Sequence, residues 1–127
     1  MIRRSFLSTL LGAALAPIAA KAKTQPYTLL LQESPLAGFQ YYEAYRIWPA
    51  LAVGDALSLT REPNNRKDQR AVAVYWHDHK LGYLPRIENT AAAQLMDRGQ
   101  RLSAKITGLN DQGGPWERIR LAVYLTA

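Results

Sequence analysis

From residue 27 onward, apolar and polar positions alternate in short bursts, each closed by a proline or a cluster of turn formers. Tyr27 to Glu33 reads as a strand ended by Ser34-Pro35. A second extended piece is expected from Phe39 to Trp48, rich in aromatics and ended by Pro49. Ala56 to Glu62 alternates around Leu57 and Leu59, the period of two of a strand with one buried face. Val72, Val74 and Trp76 form another alternating set, and His77-Asp78-His79-Lys80 supplies a tight turn into Leu81-Gly-Tyr-Leu84. One helix, over about residues 88–98, is convincing. Pro85 ends the strand before it, Asn89 or Thr90 can cap it, its interior is Ala91, Ala92, Ala93, Leu95 and Met96, and Gly99 follows as a left-handed stop. Leu102 to Leu109 and Trp116 to Thr126 then form a hairpin with a long tip, in which Ile119, Leu121, Val123 and Leu125 share one parity and face one way. Several short strands with a helix before the last pair predict a β-rich, small α+β fold. It would be a curled antiparallel sheet, or a partly open barrel of the oligonucleotide-binding type, with about six strands and one main helix.

The start of the chain reads differently. Arg3 and Arg4 precede Phe6-Leu7 and an uncharged apolar run from Leu10 to Ala20 that ends in Ala20-Lys21-Ala22. A positive start, a short hydrophobic segment and a small-residue end describe an export signal, and the adjacent arginines resemble the twin-arginine type. Residues 1–22 are therefore expected to be a signal peptide, residues 23–127 a single domain, and its location the periplasm. The chain holds 16 Lys and Arg against 10 Asp and Glu. Three of the basic groups, Arg3, Arg4 and Lys21, belong to the signal, so the formal charge of +6 falls to near +3 in the mature part. Composition alone thus makes a weak case for a polyanion partner. The absence of cysteine excludes disulfides and thiolate metal sites, and about a hundred residues suffice for one hydrophobic core but hardly for two.

Candidate chemistry concentrates in the loop Arg61-Glu-Pro-Asn-Asn-Arg-Lys-Asp68, too rich in turn formers to be helical and set between two strands. Asn64, Asn65 and Asp68 are loop residues that hydrogen-bond their own backbone, so Asp68 can hold the loop shut as well as meet a ligand. His77 and His79 could face one way, but two imidazoles make no closed metal site and the turn around them is solvent-like. No serine or threonine sits in a nucleophile motif, and no phosphate loop or zinc-protease helix is present. Glu62 and Asp68 read as loop scaffolding, not as a nuclease pair. The chain therefore reads as a non-enzymatic binding module with no cofactor and no metal.

Gly38-Phe-Gln-Tyr-Tyr42, Val53-Gly-Asp55 with Leu57 and Leu59, Arg61-Glu-Pro-Asn-Asn65 with Asp68, the strand Ala71 to Val74 and Leu81-Gly-Tyr-Leu-Pro85 together resemble the HIRAN domain over roughly residues 38–124. The resemblance implies a barrel-like fold and, from the DNA-repair members of that family, a partner: single-stranded DNA with a free 3′ end. It further implies that Tyr41 and Tyr42 meet the end nucleotides, that Asp68 accepts a hydrogen bond from the terminal hydroxyl, that Arg86 suits a phosphate and that Trp116 helps enclose a base. Two positions depart from the pattern. Gln40 stands where a cation precedes the aromatic pair, and Lys67 stands where an aromatic would close a base sandwich. Tyr83, or Lys67 as a cation above a ring, is then the compensating group. Trp48 and Trp76 are expected in the core. A second reading follows from the export signal: the same aromatic and acidic cleft could take a peptide, an envelope glycan or extracellular nucleic acid.

Overall fold

The computed structural model describes residues 27–126, and in it six antiparallel strands form one sheet. They are β1 (Tyr27–Pro35), β2 (Ala56–Glu62), β3 (Ala71–Trp76), β4 (His79–Tyr83), β5 (Leu102–Leu109) and β6 (Ile119–Thr126). Their order across the sheet is β1-β6-β5-β2-β3-β4. The expected hairpins are β3–β4 and β5–β6, whereas β1 finds its partner in the last strand of the chain. The signal-like residues 1–22 lie outside the described residues, among which no helix is long and apolar enough to cross a membrane.

The sheet curls until its two ends meet. Just past β1, the Ala37 N–H donates to the Tyr83 carbonyl at 2.8 Å, and the Tyr83 N–H donates back to the Ala37 carbonyl at 2.9 Å. This single bridge joins the outer strands into a partly open barrel, as the strand pattern led one to expect. Gly82 makes it possible, since a Cβ there would lie 2.2 Å from the Ala37 carbonyl oxygen. The irregularity between Val74 and Tyr75, which face Gly82 and Lys80, leaves Leu81 as the extra residue of a bulge that bends β4 toward the closure.

Inside, Leu57, Val72, Val74, Leu81, Ile106, Ile119, Leu121 and Val123 make a continuous core with Leu36 and Phe39. The shared parity of Ile119, Leu121 and Val123 is what buries all three. The main helix α2 (Thr90–Asp97), which follows the short helix α1 (Ala44–Ile47) in the chain and is directly preceded by a 3-10 turn at Arg86–Glu88, adds Ala92 and Ala93 to the same core. Arg61 of β2 fastens this helix. Its Nε and Nη2 donate to the two Asp97 oxygens at 2.9 and 3.0 Å, and its Nη1 donates to the Ala71 carbonyl at 2.9 Å. Those hydrogen bonds hold the Asp97 carboxyl below its ordinary range and raise the Arg61 guanidinium above its own.

The segment expected as a strand from Phe39 to Trp48 is instead a run of turns: Phe39–Tyr41, a short helix Ala44–Ile47 and Trp48–Ala50. The aromatics explain it. Phe39, Tyr42, Tyr45 and Trp48 recur every third residue, the spacing of helical turns and not of a strand. Gly38, at φ 81, swings the chain out of β1 into them. Phe39 is fully buried, with the Tyr45 and Trp48 rings edge-on at 4.8 and 5.6 Å. The Arg118 guanidinium lies 5.6 to 5.8 Å from all three ring centres, pinning the β5–β6 connection onto this segment. Trp48 and Trp76, expected in the core, are only partly buried at its margin, and the Trp76 Nε1 donates to Asp55 at 3.0 Å. The β3–β4 turn is His77-Asp78, so β4 begins at His79 and not at Leu81.

Candidate binding cleft

The closing bridge lies under a cleft of about 230 Å³ lined by residues from four parts of the chain. Ala37 and Gly38 follow β1, Tyr41 and Tyr42 come from the aromatic turns, Asn65, Lys67, Asp68 and Ala71 from the β2–β3 loop and its end, and Tyr83, Leu84 and Arg86 from the end of β4. Ala71 and Leu84 are buried and form its floor, while Tyr41, Lys67 and Arg86 are exposed at its mouth. Of the residues singled out from the sequence, the fold thus brings together Tyr41, Tyr42, Lys67, Asp68, Tyr83 and Arg86. Gln40 and Trp116 are outside this lining. Gln40 is exposed on the same turn as Tyr41, and Trp116, 64 % exposed, sits on the turn Pro115–Glu117 that packs against Phe39–Tyr41.

Beneath the Tyr42 ring lies a polar network. The Tyr83 hydroxyl donates to Glu62 Oε1 at 2.7 Å, and Lys80 Nζ donates to the Tyr83 oxygen at 2.7 Å and to Glu62 Oε2 at 3.2 Å. Asn65 Nδ2 is the third donor to this carboxylate, reaching Glu62 Oε1 at 3.0 Å. Lys80 also stands 4.8 Å from the Tyr42 ring centre and 4.5 Å from that of Tyr83, so the cation above these rings is Lys80, not Lys67. The rings themselves meet edge to face at 5.7 Å. Strand register supplies this cluster, placing β2, where Glu62 faces Ala71, beside β3, and β3 beside the bulged β4.

Burial and neighbours shift these groups in opposite senses. Burial together with the Glu62 carboxylate outweighs Lys80 and pushes the Tyr83 hydroxyl up to about 12 from 10.0. Burial works to raise Glu62, yet hydrogen bonds from Tyr83, Asn65 and Lys80 hold its carboxyl below 4.5. Burial works to lower Lys80, and its bonds to Tyr83 and Glu62 overcome this and raise it above 10.5. A Tyr that keeps its proton longer when folded stabilises the fold fully below its unfolded value of 10.0 and loses that contribution as pH rises through about 12. Glu62 acts in the reverse sense, contributing above 4.5 and losing it as pH falls through its lower folded value. Melting temperature measured against pH should therefore decline between 10 and 12, and Tyr83→Phe should make that decline shallower. Superimposable alkaline limbs would show that the Tyr83 bond contributes nothing.

The loop beside the network is held by its own side chains. Asn65 Oδ1 accepts from the Lys67 N–H at 2.9 Å and the Asp68 N–H at 3.3 Å. Asp68 Oδ1 accepts from the Arg70 N–H at 3.0 Å, and its Oδ2 accepts from Nδ2 of the fully buried Asn89 at 2.7 Å. Asp68 therefore fixes the loop to the start of α2. Each carboxylate oxygen keeps further acceptor capacity for a donor arriving in the cleft. Glu62, Asn65, Lys80 and Asn89 were not among the candidate ligand contacts; their partners lie up to 21 residues away in sequence, beyond any local pattern. His77 and His79 do not converge, since His79 Nδ1 is bonded to Glu43 at 2.7 Å and exposed His77 meets the Trp76 ring edge-on.

An apolar floor, two tyrosine faces, a carboxylate acceptor and cations at the mouth suit a ligand with a planar ring, a hydroxyl and a negative charge. Comparison with known proteins places the chain in a family. No curated protein matches the chain. Among solved structures, the crystal structure of a protein from Lactobacillus plantarum matches at 33 % identity with a TM-score of 0.69, covering 77 % of this chain and 94 % of that one. The crystal structure of the HIRAN domain of human HLTF matches at 19 % identity with a TM-score of 0.56, covering 79 % and 78 % respectively, a likeness of fold. The family model of the HIRAN domain matches residues 29–127, most of the chain, and so this protein belongs to the HIRAN domain family.

Proposed function

We propose that this domain is a non-catalytic binding module whose cleft takes the free 3′ end of a single-stranded nucleic acid. The supporting observation is the convergence of Tyr41, Tyr42, Asp68 and Arg86 on one cleft. In this reading the end base lies against the tyrosine faces, Asp68 accepts from the terminal hydroxyl, and Arg86 and Lys67 meet phosphate. A cleft of about 230 Å³ is smaller than a typical small-molecule pocket of roughly 300 Å³ or more, so it suits one end nucleotide and not a longer stretch. Lys80 holds both rings from within, which keeps the stacking faces in place.

Fluorescence anisotropy tests this directly. At low salt, an oligonucleotide with a free 3′-hydroxyl should bind more tightly than the same strand with a 3′-phosphate, whose charge would be set against Asp68. Tyr42→Ala should weaken binding roughly tenfold or more, since a stacked base is worth about 1–3 kcal/mol. No binding at low salt, or equal binding by both ends, defeats the reading.

The export-like residues 1–22 favour a second reading, in which the domain works outside the cytoplasm and the cleft takes a peptide, an envelope glycan or nucleic acid without regard to its end. The same titration separates the two. Binding that depends on Tyr42 but ignores the state of the 3′ end supports this second reading.

A further inference from the structure

A second hollow, of about 390 Å³, adjoins the cleft and shares Lys67, Asp68 and Arg86 with it. Its remaining lining is Arg66, Gln69 and Arg70. Four of the twelve Lys and Arg residues between positions 27 and 126 therefore surround one depression, and all four are exposed. The ion pairs among the described residues engage Arg46, Arg61, His79 and Lys80, and none of these four cations. The one carboxylate in the hollow, Asp68, is already bonded to the Arg70 N–H and to Asn89. A loop locked by Asn65 and Asp68 thus displays a local positive excess that the described residues do not neutralise.

On the end-binding reading the cleft of about 230 Å³ takes the end nucleotide, so the rest of a bound strand must lie on an adjoining surface. The surface beyond Lys67 and Arg86 carries these unpaired cations. Resting on the end-binding reading above, we infer that the hollow over residues 66–70 is a backbone track, in which Arg66 and Arg70 neutralise phosphates of nucleotides that the cleft does not reach. Lys67 and Arg86, common to both depressions, carry the chain from one to the other. Charge, not base edges, does the recognising, so the track reads length and is indifferent to sequence.

The test compares wild type with the Arg66→Gln, Arg70→Gln double variant on a dinucleotide and a decanucleotide, both with free 3′-hydroxyls, across a salt series. Both proteins should bind the dinucleotide alike. On the decanucleotide the variant should bind more weakly, and its plot of log affinity against log salt should be shallower by about 1.4, from two lost contacts at roughly 0.7 each. Arg66→Lys, Arg70→Lys should restore the slope, because a point charge is enough. Equal slopes on the long strand, with Tyr42→Ala still weakening both ligands, overturn the track and leave the cleft standing. Wild type that binds neither strand removes the cleft and the track together. A variant that loses adsorption to anionic phospholipid vesicles while its slope on DNA is unchanged assigns the charges to a membrane surface, and overturns the proposal as well. Among the described residues neither arginine side chain has an ion-pair partner, so an unchanged melting temperature is expected.

Discussion

Gly82→Ala should destabilise the domain by about 3–5 kcal/mol, as the sum of lost hydrogen bonds and overpacking strain. Its Cβ would stand 2.2 Å from the Ala37 carbonyl oxygen, a backbone atom that cannot rotate away. The φ of 157° at this position is also one that side-chain-bearing residues rarely adopt. Relief requires Ala37 and Tyr83 to part, which gives up two backbone hydrogen bonds at about 1 kcal/mol each and adds strain of about 1–3 kcal/mol. That bridge is the contact that closes the barrel, and Ala37 and Tyr83 both line the cleft, so ligand binding should fall with stability. Urea denaturation measures it. A loss below about 1 kcal/mol would mean that the outer strands separate at little cost and that the bridge is not what closes the sheet.

Asp68→Ala should cost about 2–4 kcal/mol, chiefly through what it leaves behind. Asn89 is fully buried, its Oδ1 has no partner, and its Nδ2 would lose the Asp68 oxygen as well. A buried amide stripped of its partner costs about 1–3 kcal/mol, and the bond to the Arg70 N–H is lost in addition. Asp68→Asn keeps one acceptor oxygen and should fall between the variant and wild type. Tyr42→Ala provides the contrast, because that ring is 38 % exposed and should affect ligand affinity more than melting. If Asp68→Ala melts with wild type while binding is lost, the carboxylate serves the ligand alone and its tie to α2 is incidental.

Asp68 shows how far a sequence can be read here. Its loop role follows from residue type, since an aspartate two residues before an N–H in a turn-rich stretch is placed to accept from it. Its bond to Asn89 spans 21 positions and could be found only once α2 was packed beside the loop. The aromatic segment shows the opposite failure. Proximity of rings suggested a strand, while the three-residue spacing of Phe39, Tyr42, Tyr45 and Trp48, legible all along, specified turns. Reading those rings as turns is also what frees Tyr41 and Tyr42 from strand alternation and leaves both exposed at the cleft.

The sequence by itself determined the strands β1, β2, β3, β5 and β6, the main helix and the buried parity of Ile119, Leu121 and Val123, because each depends on residues within one or two turns of the chain. The exception is Trp116, which falls in a 3-10 turn before β6 starts at Ile119. Tertiary structure alone decided that β1 joins the last strand, that Ala37 closes on Tyr83, and that Glu62, Lys80 and Tyr83 share one network under Tyr42. Local patterning says which face of an element is apolar. It cannot say which distant face will cover it, since that choice is made by the register and curl of the whole sheet, and the cleft exists only where those ends meet.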